Sequence, residues 1–484
     1  MTAARAGRLA LGLAALAASA GLFYLSGPLQ PVWWVAWIAP ALALGLAYRS
    51  HAAIAAIAVF AAALCAELSL CRYLRLLIDD GLPLSQAASM VLMPAVGLTG
   101  AALLARAVAR RGHLVLAALA FGFAWAGFEF VVAATSPNGT FQDYAYTQAD
   151  TLPVLQIASV TGLWGLDFLV MATAASLAAL VAQAPARARA APIVLMGFML
   201  AAVVAWGSAR LAQADRPGRL LVGGLVSDVG LGGGAHPLAA RLTYVDRYVD
   251  QVHALAARGA TAVVLPENLV KVSAAEGAEV MRRLSAAAAQ DRLTLVSGVH
   301  RIDASASHNS AVAFGADGKQ LLTYDKQHLF PGTPDMPGHA PGVWKTAAGP
   351  EAVEICKDLD FAEPSRAYGR AGVRVVFAPA SDYGLDGPMH ASMAVVRSVE
   401  DGFALVRTAR HGLVSISDDR GRRLAQRPSS AADFVEDAGA VRGGTGPTPY
   451  ARFGDWFPYL SLAFTAAVAL WLALPYARRA ALRR

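Results

Sequence analysis

The sequence predicts two parts of different fold class: a polytopic α-helical membrane bundle of about eight spans, and one extramembrane α/β domain. Of the 484 residues, 56% are hydrophobic and 15% charged, whereas soluble domains usually carry about 25% charged residues. Apolar stretches of roughly 20 residues, enough to cross about 30 Å of hydrocarbon, recur over the first 212 residues. From about residue 219, short β-type runs alternate with Ala-rich helical stretches.

The apolar stretches predict seven spans before the polar middle and one after it. They cover residues 6–26, 30–48, 52–70, 87–108, 113–134, 157–183, 191–211 and 456–476. With the N-terminus in the cytoplasm, about twelve flanking arginines lie inside, and only Arg72 and Arg75 lie in a short outside loop. The predicted domains are therefore a transmembrane domain (1–212), a periplasmic domain (213–455), and a last helix with a cytoplasmic basic tail (456–484). We expect a multi-pass protein of a bacterial inner membrane.

The basic pI of about 9.4 does not indicate nucleic-acid binding. The excess charge consists mostly of arginines in short clusters beside apolar runs, which is the pattern of membrane topology signals. The three cysteines, Cys65, Cys71 and Cys356, form neither a disulfide framework nor the C-x-x-C spacing of a zinc site. Cys65 and Cys71 lie in or beside a predicted span, so any cysteine chemistry falls on Cys356.

One carboxylate lies inside a predicted span. Glu129 stands in the run Gly127–Phe130 of the fifth span, where an ionisable side chain is costly. Two interpretations stay open: a functional or paired carboxylate, and a structural hydrogen bond to a neighbouring helix.

The polar middle of the chain reads as alternating strands and helices. The predicted strands are Leu220–Val226, Thr261–Leu265, Leu293–Val299, Asn309–Phe314, Gln320–Tyr324, Val353–Cys356 and Val373–Pro379, and the predicted helices are 238–258 and 274–290. Asp317 and Gly318 predict a hairpin. The run Gly230–Gly234 lacks the G-K-[ST] ending of a phosphate-binding loop, so we interpret it as a flexible loop.

Three segments of this domain carry reactive side chains at the ends of predicted strands. Glu267 follows Val264–Pro266, Lys326 follows Tyr324 and Asp325, and Cys356 closes a strand. A thiol with the ordinary pKa of about 8.5 is mostly protonated at neutral pH. A neighbouring lysine favours the thiolate, a carboxylate can take the thiol proton, and the lysine can also stabilise an oxyanion. The three residues together predict a nucleophilic cysteine.

These segments resemble a known superfamily. Pro266-Glu267, then Tyr324-Asp325-Lys326-x-His328-Leu329-x-Pro331, then Ile355-Cys356 are similar to motifs of the nitrilase (carbon–nitrogen hydrolase) superfamily. The eight-span frame resembles its membrane branch, the apolipoprotein N-acyltransferase family, over nearly the whole chain. The resemblance implies a four-layer αββα sandwich. It also implies roles for three residues: Glu267 as general base, Lys326 as oxyanion stabiliser and Cys356 as nucleophile.

The resemblance also implies the reaction and its participants. Cys356 would take an acyl chain from a phospholipid as a thioester, and the α-amine of the N-terminal diacylglyceryl-cysteine of a lipoprotein would accept it. We expect no metal, no soluble cofactor, no nucleic-acid partner, and a monomer. The alternative is a membrane-tethered amidase or nitrilase, or an acyltransferase with another amine acceptor.

The chain departs from the family pattern near the triad. The usual Phe-Gly-Glu after the lysine is absent, and Asp335 is the candidate replacement for its glutamate. The usual Tyr-Glu after the cysteine is Lys357-Asp358, where Lys357 would either lower the thiol pKa or point into solvent. Asp358 and Glu400 are further candidate supporting residues.

Overall fold

The computed structural model describes residues 3–214, 218–230, 233–303 and 306–481. The chain forms two compact units. The membrane unit consists of Met1–Ala212 and Asp455–Arg484, and the α/β unit consists of Gln213–Gly454.

The secondary-structure elements described in the membrane unit are all helices. Its α-helices are Ala3–Leu25, Ala39–Arg49, Ala52–Glu67, Cys71–Asp79, Leu84–Ala109, Leu114–Thr135, Leu152–Leu155, Ala158–Thr161, Trp164–Ala178, Ala186–Leu211 and Trp456–Ala481. Short 3-10 turns lie at Val35–Trp37, Leu68–Leu70, Tyr144–Gln148 and Ala179–Val181. Alanines such as Ala101 and Ala105 pack in its core with Phe121 and Trp125, because small side chains let helices approach closely.

Within the described residues, six helical segments are long and apolar enough to span a membrane. They are Ala52–Asp79, Leu84–Ala109, Leu114–Thr135, Trp164–Val181, Ala186–Leu211 and Trp456–Leu474. The other two predicted spans correspond to the shorter apolar helices Ala10–Leu25 and Val35–Arg49. The predicted span 157–183 is interrupted at Gly162, whose φ of +68° lies outside the helical region.

Within its described residues, the α/β unit contains thirteen strands in two sheets. In chain order they are β1 (Leu220–Val226), β2 (Ala262–Val264), β3 (Val270–Ser273), β4 (Thr294–Ile302), β5 (Ser307–Phe314), β6 (Gln320–Asp325), β7 (Val343–Thr346), β8 (Gly349–Val353), β9 (Val375–Ser381), β10 (Ala404–Arg410), β11 (Leu413–Ser417), β12 (Arg423–Pro428) and β13 (Val435–Val441). One sheet has the order β13-β1-β2-β4-β5-β6, with β3 paired to β4, and the other has the order β12-β11-β10-β9-β8-β7.

The two sheets pack face to face, and helices cover their outer faces. Val264 and Val296 of the first sheet meet Phe377 and Val406 of the second in a shared buried cluster. The helices Leu238–Ala257 and Ala274–Asp291 cover the first sheet. The helices Ser365–Arg370 and Gly387–Asp401 cover the second. The predicted class, a helical membrane bundle with an αββα sandwich, is confirmed.

Three further short elements belong to this unit. The 3-10 turn Cys356–Asp360 follows β8, and the helix Pro449–Phe453 closes the unit, while a second 3-10 turn lies at Ser429–Ala431. The predicted hairpin at Asp317 and Gly318 joins the antiparallel strands β5 and β6. In the predicted loop Gly230–Gly234, residues 231 and 232 lie outside the described residues.

Candidate active site

Glu267 and Lys326 come together at the ends of their strands. Glu267 lies three residues past β2, and Lys326 directly follows β6. The ammonium of Lys326 lies 2.7 Å from Glu267 Oε1, and both side chains are almost wholly buried, with 6% and 5% exposed. Removing either partner would destabilise the folded protein, because the remaining charge would be buried without a counter-charge.

Asn309 is a third member of this cluster that the sequence analysis did not single out. Its side-chain Nδ2 donates to Glu267 Oε1 over 2.6 Å, and its backbone carbonyl accepts from the N–H of Lys326. Two donors therefore share one oxygen of Glu267, which fixes the carboxylate plane. Asn309 lies on β5 within a predicted strand, and only the pairing of β5 with β6 brings it to the site.

Cys356 lies in a sharp turn rather than in a strand. The predicted strand Val353–Cys356 is wrong in its last residues, because β8 ends at Val353 and a 3-10 turn begins at Cys356. Cys356 has a φ of +46°, an uncommon conformation for a residue with a Cβ. Its Sγ lies 3.4 Å from the carbonyl oxygen of Ser381. Such local strain is frequent at functional sites.

The thiol is strongly affected by its surroundings. Burial raises the pKa of Cys356, and the negative charge of Glu267 raises it further, whereas Lys326 and Arg407 lower it. Burial lowers the pKa of Lys326, but the charges of Glu267, Cys356 and Asp358 and the hydrogen bond to Glu267 together raise it more, so the pKa of that ammonium lies above its ordinary value. The three groups thus interact electrostatically, with the thiol protonated and the lysine charged at rest.

Asp358 joins the lysine segment to the cysteine segment. Its Oδ2 accepts from the hydroxyl of Tyr324 and from the N–H of Ile355. Its Oδ1 accepts from the N–H groups of Gln327 and His328. One buried carboxylate therefore binds the residue before Cys356 and the two residues after Lys326.

Glu400 acts on the turn through Arg397. The two side chains are fully buried and 2.6 Å apart, and Arg397 Nε donates to the carbonyl of Leu359 in the turn Cys356–Asp360. Glu400 thus helps to position the turn that carries the thiol.

Asp335 and Lys357 are the other two predicted supporting residues, and each has an ionisable neighbour. Asp335 lies 3.1 Å from His300 Nε2 and accepts from the hydroxyl of Ser307. Lys357 is buried rather than solvated. Its ammonium lies 3.5 Å from Asp360 Oδ2.

A second charged cluster borders the site. Arg407 donates to both oxygens of Asp382, over 2.9 and 2.5 Å. One carboxylate oxygen each of Asp382 and Asp386 and one ring nitrogen of His390 lie within 4.8 Å of one another. Since the guanidinium already occupies Asp382, and Asp386 lies 3.3 Å from His390, this cluster is an ion network. Its arrangement was not predicted from the sequence, since Arg407 lies on β10 whereas Asp382 follows β9.

Comparison with known proteins gives two family matches. Residues 19–176 match the family described as the apolipoprotein N-acyltransferase N-terminal domain. Residues 229–434 match the carbon-nitrogen hydrolase family. The two matches fall in different units of the chain, one in the membrane unit and one in the α/β unit.

Several curated relatives carry the name apolipoprotein N-acyltransferase. The one from Geobacter metallireducens is 28% identical over 81% of this chain and 79% of its own length. The one from Bradyrhizobium diazoefficiens is 26% identical over 68% of each, and that from Gloeobacter violaceus 30% over 61% of each. Among solved structures, an amidase from Nesterenkonia sp. aligns with a TM-score of 0.42 and 18% identity, over 50% of this chain and 95% of its own.

Proposed function

Because this chain belongs to the apolipoprotein N-acyltransferase family of the nitrilase superfamily, we propose that it transfers an acyl chain from a phospholipid to a lipoprotein. The acceptor is the α-amine of the N-terminal diacylglyceryl-cysteine, and the acyl chain passes through a thioester on Cys356. The observation that carries this proposal is the buried Glu267–Lys326 pair, whose charges act directly on the Cys356 thiol.

In the first step, Glu267 takes the thiol proton as the sulfur attacks the ester carbonyl carbon of the phospholipid. The raised pKa of the buried thiol makes a neighbouring base necessary. The carbonyl oxygen becomes an oxyanion, which the charged ammonium of Lys326 stabilises. The intermediate collapses to the thioester, and the departing lysophospholipid alkoxide takes the proton back from Glu267.

In the second step, the α-amine of the lipoprotein attacks the thioester carbonyl carbon. Glu267 accepts the amine proton, Lys326 again stabilises the oxyanion, and the C–S bond breaks. The products are an amide on the lipoprotein and a Cys356 thiolate, which regains its proton from Glu267. Lys326 and Asn309 both donate to Glu267 Oε1, which leaves Oε2 as the oxygen that exchanges protons in each step.

The proposal includes a location and two partners. The membrane unit lies in a bacterial inner membrane, and the α/β unit faces the periplasm, as the arginine bias predicts. Phospholipid and diacylglyceryl-lipoprotein then reach the enzyme on the outer side of that membrane.

Acyl transfer by the purified full chain tests this function. In phospholipid nanodiscs with a diacylglyceryl-cysteinyl peptide, the wild type should produce the N-acylated peptide, and Cys356→Ala should abolish it without loss of folded protein. Cys65→Ala and Cys71→Ala, which alter the other two free cysteines, should stay near wild-type rate. Turnover of small amides without peptide acylation would instead support a membrane-tethered amidase, for which the altered Lys357-Asp358 segment argues.

A further inference from the structure

The membrane unit contains a cavity of about 240 Å³, and neither Glu267, Lys326 nor Cys356 lines it. Its walls come from the helices Ala52–Glu67, Leu84–Ala109 and Leu114–Thr135, and from the loop 136–144. The residues that line it all lie in the membrane unit.

Two buried carboxyl groups line this cavity. Glu67 is 7% and Glu129 is 9% exposed. Glu67 Oε2 has no hydrogen-bond partner, and among the described residues we find no hydrogen bond from a neighbouring helix to the Glu129 carboxyl. The interpretation of Glu129 as a structural hydrogen-bond acceptor therefore lacks its donor, and a bound group that satisfies both carboxyls is the remaining explanation.

Two amide oxygens add to the unsatisfied acceptors. Gln86 Oε1 and Gln142 Oε1 are buried and lack partners, and both residues line the cavity. Gln142 Nε2 donates to the carbonyl of Met90 over 2.6 Å, which assigns the orientation of the amide. Gln142 also has a φ of +63°, a conformation that stores strain in a non-glycine residue. The fold thus keeps this amide oxygen at the cavity although the backbone of Gln142 is strained.

Two hydroxyl groups of the wall donate to other protein atoms. Tyr144 donates to Ser26 Oγ over 2.8 Å, and Ser26 donates to the carbonyl of Phe23. Among the described residues that line the cavity there is no lysine, arginine or histidine. The unpartnered oxygens of the wall therefore favour a ligand that supplies hydrogen-bond donors, and a positive charge would be matched by the two carboxyls.

The apolar part of the wall indicates an organic ligand. The rings of Trp125 and Phe128 line the cavity, and aromatic faces attract ammonium groups. Within the described part of the chain, grouped metal-ligating side chains are found at Asp382, Asp386 and His390. Glu67 and Glu129 have no third such ligand beside them, which argues against a divalent metal.

We propose that this cavity binds a primary ammonium group carried on an apolar or amphiphilic molecule. The ammonium has three N–H donors for the carboxyl and amide oxygens, and the apolar portion lies against the aromatic rings. Neither glutamate belongs to the proposed catalytic cluster.

Binding of n-butylammonium to the full-length protein, with the isosteric 1-butanol as comparison, tests the proposal. In nanodiscs of phosphatidylcholine, which lacks a primary ammonium, we expect butylammonium to raise the unfolding temperature in a saturable way and butanol not to. Glu67→Gln and Glu129→Gln should each remove that rise. Asp79→Asn, which alters an exposed carboxyl of the same unit, should keep it.

The comparison of butylammonium with butanol on the wild-type protein still tests the site if a glutamate variant folds poorly. Equal shifts with butylammonium and butanol, or equal butylammonium shifts in wild type and both glutamate variants, would overturn the site. Nanodiscs that contain an aminoethyl phospholipid separate two sources of the group. If this lipid abolishes the butylammonium shift, the ammonium comes from a lipid headgroup; if the shift persists, it comes from a soluble amine. Both results support the site.

Discussion

At the scale of single residues, the proposed catalytic cluster depends on how the Glu267 carboxylate is held. Lys326 and Asn309 donate to the same oxygen, so the carboxylate has one fixed and one free end. The glutamate, the lysine and the cysteine could each be named from the sequence, because each lies in a short motif at a strand end. Asn309 could not, since its role follows from strand pairing and its own neighbours form no motif.

Asn309→Leu should lower the acylation rate about 10-fold to 100-fold. A hydrogen bond to a charged group contributes about 1.5–3 kcal/mol, and each 1.4 kcal/mol in the barrier is a factor of about ten. Single-turnover formation of the Cys356 thioester measures it. Ser310→Ala, at the next residue of β5, is the control and should have little effect; a wild-type rate in Asn309→Leu would remove the assigned role.

Glu354, two residues before Cys356, should make stability depend on pH. Burial raises the pKa of Glu354 from 4.5 to about 8, with repulsion from Asp358 as a further cause. Between these values the folded protein keeps a proton that the unfolded chain releases, so this contribution to stability falls as pH rises through the interval. Glu354→Gln removes the ionisation.

As the pH rises from about 5 to 8, the unfolding temperature of Glu354→Gln should therefore rise relative to that of wild type. Thermal unfolding in one detergent across that range measures it. All other titrating groups are common to both proteins, so a constant difference would show that Glu354 does not titrate there.

At the scale of elements, the turn Cys356–Asp360 is the feature that sequence reasoning placed least well. A continuing strand was predicted through Cys356, because Val353–Ile355 is apolar. The turn instead forms from contacts distant in the chain: Asp358 accepts from N–H groups after β6, and Arg397 donates to the carbonyl of Leu359. The hairpin β5–β6 was predictable because its Asp-Gly signal is local.

Glu400→Gln should destabilise the α/β unit by about 3–5 kcal/mol, since it leaves the fully buried Arg397 without its counter-charge. The turn that carries Cys356 should lose order with it. Unfolding of the purified Glu400→Gln variant measures the effect. The double variant Arg397→Met with Glu400→Leu, in which neither charge remains, is unfolded beside it.

A matched control exists on the surface. Arg282 and Glu279 form an ion pair with the same i,i+3 spacing, but their side chains are 66% and 36% exposed, and Glu279 also pairs with Arg283. Glu279→Gln should change stability little. Equal losses in Glu400→Gln and Glu279→Gln would show that burial of the Arg397–Glu400 pair is not what matters.

At the scale of the whole molecule, composition and the pattern of apolar runs were enough to predict a membrane bundle joined to an α/β domain, whereas the αββα sandwich was implied by the family resemblance. The number of full-length spans was less predictable. Hydropathy counts apolar residues but does not detect a helix break such as that at Gly162, nor the short helix Ala39–Arg49. The orientation of the chain rests on arginine placement alone and needs its own test.

Single cysteines introduced into a background with Cys65→Ala, Cys71→Ala and Cys356→Ala test orientation. Lys319→Cys lies in the exposed β5–β6 hairpin, and Arg110→Cys lies in an exposed turn after the helix Leu84–Ala109. In cells with a permeabilised outer membrane, an impermeant maleimide should label Lys319→Cys and spare Arg110→Cys. The reverse pattern would place the α/β unit in the cytoplasm and exclude the proposed topology.

The central claim is that Cys356 carries the acyl chain, and intact-mass spectrometry of the full-length protein from phospholipid membranes tests it most directly. We predict a mass increase of one fatty-acyl group that hydroxylamine removes and that is absent from Cys356→Ala. A protein that shows no such adduct after incubation with phospholipid, while still acylating the peptide, would contradict the thioester mechanism.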